Sequence, residues 1–141
     1  MTKEDLRLPH VFISHGKQDS WIAGQVSKEI SSLGATTFLD EANIKKGDDF
    51  KKEIHRELAD CTELIALFTP WSMDRAWVWV EIGAAWGLDK RIIAVLCGMD
   101  ISDLEGAPGG EAVLGDLNII SINDLPEYLS ELEVRAGQEH A

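Results

Sequence analysis

The segment His10-Val11-Phe12-Ile13-Ser14-His15-Gly16-Lys17-Gln18-Asp19 decides the fold class. A short apolar run breaks into small and polar residues, and a helical pattern follows at once. Ile22, Val26, Ile30 and Leu33 mark one face of that helix, and Gly34 is a natural C-terminal stop. The same order of signals recurs downstream. Apolar runs at 36–39, 64–68 and 92–96 read as strands, with 118–122 as a fifth. The central runs are apolar without alternation, as strands covered on both faces are. Between the second and third runs, Phe50, Ile54 and Leu58 repeat every four residues after Gly47, with Asp48 and Asp49 suited to a positive helix N-terminus. After the third run, Ser72 can cap a helix reaching about Trp86, with Gly87 able to end it. Strands alternating with helices predict an α/β architecture built on a mostly parallel sheet. Residues 97–117 read as a long loop with at most one irregular helix. Leu125, Leu129 and Leu132 suggest a final helix, and the polar end from Gly137 to Ala141 is expected to fray.

The chain has 141 residues, 45% of them apolar, which suits one domain with one substantial core. That domain is expected over 9–136, between an N-terminal tail (1–8) and a C-terminal tail (137–141). A net charge of −12 opposes binding to nucleic acid or to an anionic membrane, because the long-range field repels both. No run approaches the ~20 apolar residues of a membrane span, and the charged N-terminus lacks the apolar core of a signal peptide. The chain reads as cytoplasmic. Cys61 and Cys97 each adjoin an apolar run and show no metal-ligand spacing, so they read as buried thiols in a reduced compartment. No metal constellation is visible and no cofactor is called for.

Chemistry concentrates in residues 76–88, AWVWVEIGAAWGL, where Glu81 is the one ionisable side chain before Leu88. A helix apolar on nearly every side is usually buried, and burying a carboxylate is costly without partners. Trp77 lies one turn earlier on the same face, so indole and carboxylate can line one cleft. The alternative is that Glu81 meets solvent or a backbone group while Trp77 packs. In an open parallel sheet, ligands bind beyond the carboxyl ends of strands near a topological switch point. Ser14, His15 and Gly16 leave the first strand there. Residues 40–48 leave the second and hold the basic pair Lys45-Lys46 just before a helix N-terminus, where a diphosphate can sit. Taken alone, each loop is equally readable as a solvated turn.

Together, in this order and spacing, these segments resemble a Toll/interleukin-1 receptor (TIR) domain over about residues 9–135. The run 11–15 followed by Asp19 resembles the family's first box, Asp40 through Gly47-Asp48 the loop after the second strand, and Trp77 to Glu81 the tryptophan-to-glutamate signature of the third helix. The resemblance implies a flavodoxin-like doubly wound sheet of about five parallel strands with helices on both faces. It implies Glu81 as the catalytic residue of an NAD+ nucleosidase or ADP-ribosyl cyclase, giving nicotinamide and ADP-ribose or cyclic ADP-ribose. Ser14, His15, Gly16, Asp40, Lys46, Gly47, Ser72 and Trp77 are then candidates for binding NAD+ or a related nucleotide as substrate. Stand-alone chains of this kind resemble signalling or cell-suicide effectors of microbial, anti-phage immunity, and their partners are other TIR domains by self-association. The competing function is a non-catalytic TIR–TIR interaction module. Two departures weaken a receptor-adaptor reading: the Arg-Asp and Pro-Gly pairs of receptor-type loops stand here as Leu39-Asp40 and Lys46-Gly47. A phospho-receiver is excluded because the third strand leads into Phe68-Thr69-Pro70 instead of a phosphoacceptor Asp. A Ser/His hydrolase is excluded because Ser14 and His15 are adjacent and no nucleophile elbow occurs.

Overall fold

The computed structural model describes residues 8–39, 48–72, 76–105, 115 and 117–140. Five strands, β1 (His10–Ser14), β2 (Thr36–Leu39), β3 (Glu63–Phe68), β4 (Arg91–Leu96) and β5 (Asn118–Ser121), form one parallel sheet in the order β2-β1-β3-β4-β5. The helices are α1 (Ser20–Ser31), α2 (Asp48–Asp60), α3 (Ala76–Gly87), the short α4 (Ile101–Glu105) and α5 (Leu125–His140).

Period-two alternation along the strands builds two cores. Val11 and Ile13 of β1 pack with Ala23, Val26 and Ile30 of α1 and with Leu125, Tyr128 and Leu132 of α5. Phe12, between them in sequence, points to the other face and packs with Ile54 and Leu58 of α2 and with Val78, Ile82 and Ala85 of α3. Helices therefore cover both faces, and all six residues of β3 are buried. The run pattern predicted the parallel α/β sheet, and the doubly wound order is the one the resemblance implied.

The element ends differ in ways that have local causes. β3 and β4 each begin one residue earlier than their apolar runs, at Glu63 and Arg91, which are register partners across the two strands. Ile122 leaves β5 for a 3-10 turn, Ile122–Asp124, opened by the Ser121 hydroxyl accepting from the Asn123 N–H. Gly34 ends α1's turn with φ +93°, a conformation glycine adopts without penalty. α3 ends at Gly87 as expected, and the left-handed residue that follows is Asp89, at φ 56°. The polar end expected to fray from Gly137 is helical as far as His140. Among the described residues, no helix is long and apolar enough to cross a membrane.

The candidate active site

Ser14 ends β1 and sits beside Ala66 of β3. From β1 the chain turns outward through α1 to β2 on one side, while β3 lies on the other, so the β1/β3 boundary is the topological switch point. Ser14 shares the parity of Phe12 and therefore faces α3. There its Oγ donates a 2.6 Å hydrogen bond to Oε1 of Glu81. Both residues are buried, Glu81 with only 1% of its surface exposed. Helical spacing explains the arrangement: Val78, Ile82 and Ala85 anchor α3 on the sheet, and Glu81 lies on that same buried side. Burying a carboxylate is expensive, and a charge-assisted bond from a hydroxyl recovers only part of the cost.

Glu63 is a useful contrast, because it is equally buried but lies at the opposite, amino-terminal end of the sheet. Arg135 grips it with two N–H donors, each at 2.9 Å, and Tyr128 Oη donates at 2.5 Å. Arg91 stands 3.9 Å away. This is a closed structural network. Burial and the Glu63 carboxylate together push the Tyr128 hydroxyl far above its ordinary range. The sequence reading missed Glu63, although a charged residue opening an apolar strand, with a basic residue opening the next, was the available signal.

Beyond Ser14, the loop folds tightly. His15 is buried, with Nδ1 3.3 Å from the carbonyl oxygen of Ile13. Gly16 is buried too, and a Cβ there would stand 3.1 Å from Cβ of Ser72, so glycine is what allows the β1 and β3 exit loops to approach. The Asp19 N–H donates to the Gly16 carbonyl at 2.9 Å. Asp19 itself is 1% exposed, and its two oxygens accept from the Thr69 hydroxyl at 3.0 and 2.9 Å. Its charge is felt across the sheet. Burial first, and then Asp19, push the Cys97 thiol up, which leaves that half-buried cysteine a poor nucleophile.

Ser72 has a task in the turn that the sequence did not show. Its Oγ accepts from the Thr69 N–H at 2.8 Å and lies 3.2 Å from the Leu67 carbonyl as donor, while its own N–H bonds the Thr69 carbonyl at 3.0 Å. It closes the turn leaving β3, four residues before the first described residue of α3. Trp77 is 38% exposed, one turn before Glu81, so the pair spans from surface to interior. Phe50 lies in α2 as expected. Its side chain and the candidates Asp40, Lys46 and Gly47 lie outside the described residues. The structure thus brings Ser14, His15, Gly16, Ser72 and Glu81 to one end of the sheet. Asp19 and Thr69, which join them, were not singled out as site residues by sequence.

The family model described as TIR domain matches residues 11–132. The chain belongs to the TIR domain family. Solved structures agree in fold. A Clostridium botulinum CMP N-glycosidase, BcmB, aligns with TM-score 0.63 at 19% identity, over 89% of this chain and 98% of that one. A metazoan TIR-STING receptor from C. gigas, in complex with 2′,3′-cGAMP, gives 0.65 at 19% identity over 93% of this chain and 40% of that one. The TIR domains of the activated Roq1 resistosome, which recognises the pathogen effector XopQ, give 0.57 at 15% over 92% and 84%. At these identities the likeness is one of fold. No curated protein matches the chain at a significant level.

Proposed function

We propose that this TIR domain cleaves the N-glycosidic bond of a nucleotide, with NAD+ as the substrate and Glu81 as the catalytic carboxylate. The observation that carries the reading is the buried Glu81 side chain, oriented by the 2.6 Å bond from Ser14 at the switch point of the sheet. The chemistry suits an oriented carboxylate. The bond between ribose C1′ and the nicotinamide nitrogen breaks with its electron pair going to the nitrogen, so the cationic ring leaves neutral and needs no proton. Positive charge develops on C1′ and the ribose ring oxygen, and a carboxylate beside them stabilises it. Water then adds to C1′ and loses a proton, giving ADP-ribose; capture by the substrate's own adenine gives a cyclic product instead. Trp77 beside the site would limit water and favour capture. The basic pair Lys45-Lys46 and Gly47 are proposed to hold the diphosphate, and Asp40 to contact the substrate elsewhere.

Two observations support this choice of bond. The chain belongs to the TIR family and its third helix resembles that family's tryptophan-to-glutamate signature, and one fold relative is by its name a CMP N-glycosidase. In a cell, such turnover would make the protein an immune effector. The test is incubation of purified protein with NAD+, and separately with CMP, followed by separation of base from sugar phosphate. We expect nicotinamide release that falls about 100- to 1,000-fold in Glu81→Gln, the usual range for losing one electrostatic stabiliser. Equal turnover by the variant would remove Glu81 from the mechanism, and cleavage of CMP alone would change the substrate.

A second reading has its own support. Trp21, Trp71, Val80 and Leu88 are exposed large apolar residues, the kind of surface on which TIR domains would self-associate. Association without any nucleotide turnover would favour an interaction module.

A further inference from the structure

We propose that Asp19 and Thr69 form a latch that positions Glu81 for the reaction. Two hydrogen bonds join the segment leaving β1 to the segment leaving β3. One runs from Ser14 to Glu81 at 2.6 Å, and the other from Thr69 to Asp19 at 2.9 and 3.0 Å. The chain from 14 to 19 carries the donor of one bond and the acceptor of the other, and so links them at the mouth of the switch point. Gly16 lies against Ser72 there, with 3.1 Å for an added Cβ.

The Thr69 hydroxyl is the hub. It donates to Asp19, accepts the Trp71 N–H at 3.2 Å, and belongs to the residue whose N–H is bound by Ser72. A neutral side chain would hold the same turn with less desolvation, so a buried aspartate in this place is explained better by rigidity than by stability. The Trp71 side chain, by contrast, is 64% exposed, so the turn is fixed from below by polar bonds and not by burial of its largest residue. If the latch opens, the segment that carries Ser14 is held less firmly against Glu81, and small displacements at a reacting centre are costly in rate.

Thr69→Val removes the hydroxyl at nearly constant volume, and Thr69→Ser restores it. Amide hydrogen exchange at Trp71 and Ser72 should quicken at least about ten-fold in Thr69→Val and return towards wild type in Thr69→Ser. The activity readout rests on the proposed function. NAD+ turnover should lose about 10- to 100-fold in kcat with KM changed less than about three-fold, again with recovery in the serine variant. Carboxyl 13C resonances of Glu81 should move in Thr69→Val and not in Thr69→Ser, which reports its position without substrate. Unchanged exchange, an unmoved Glu81 resonance, or a serine variant as impaired as the valine one overturns the latch. A wild type inactive towards NAD+ overturns the proposed function instead, and the exchange and carboxyl data then decide the latch alone.

Discussion

Replacing Ser14 with alanine tests whether the hydroxyl and the Glu81 carboxylate are energetically joined. Their atoms lie 2.6 Å apart and both residues are essentially free of solvent, so the bond is short, charge-assisted and unscreened. A hydrogen bond to a charged group contributes about 1.5–3 kcal/mol, and one between neutral groups about 0.5–1.5 kcal/mol. Ser14→Ala should therefore cost about 2 kcal/mol in the native background. In a Glu81→Gln background, where the acceptor is neutral, it should cost about 1 kcal/mol. The coupling of about 1 kcal/mol exceeds the ~0.3–0.5 kcal/mol scatter expected of independent sites. Urea unfolding of the four proteins, with a common m-value as the control on two-state behaviour, measures it. Additivity within about 0.3 kcal/mol would mean that the hydroxyl does not sense the carboxylate's charge, and the orienting role of Ser14 would be abandoned.

The opposite end of the sheet offers two sharper stability tests. Arg135→Met removes both guanidinium bonds to the buried Glu63 while Tyr128 and the more distant Arg91 remain; the expected loss is about 3 kcal/mol, at the lower end for breaking a buried ion pair. Urea unfolding reads it, and a loss under about 1 kcal/mol would show that Arg91 moves in to compensate. Tyr128→Phe should alter the response to alkali. The native hydroxyl is held protonated far above its ordinary range, while the unfolded one ionises near pH ~10, so above that pH the unfolded state binds fewer protons and stability falls. The wild type should lose about 1 kcal/mol more than the variant between pH ~10 and ~11, and parallel stability curves would contradict the buried bond to Glu63.

The fold was legible because strands buried on both faces leave continuous apolar runs, and α1 and α2 repeat their apolar residues at helical spacing. Glu81 was legible for the opposite reason, as a charge in a segment that has no other use for one. Glu63 and the bonding role of Asp19 escaped notice because nothing nearby in sequence shows what either carboxylate meets. Their burial depends on partners 65 and 72 residues away for Glu63, and 50 away for Asp19. The turn-closing bonds of Ser72 were not legible, because the sequence does not show that its hydroxyl meets the Thr69 N–H.

The separation between Glu63 and its partners also bears on how the chain is made. Strand β3 emerges from the ribosome well before Tyr128 and Arg135, which lie 65 and 72 residues further on. Until they arrive, closing the sheet around Glu63 would trap a carboxylate without its guanidinium, so the growing chain has reason to stay loose. The last helix thus completes the sheet as well as covering it: the buried Glu63 meets its guanidinium and phenol only once α5 has docked.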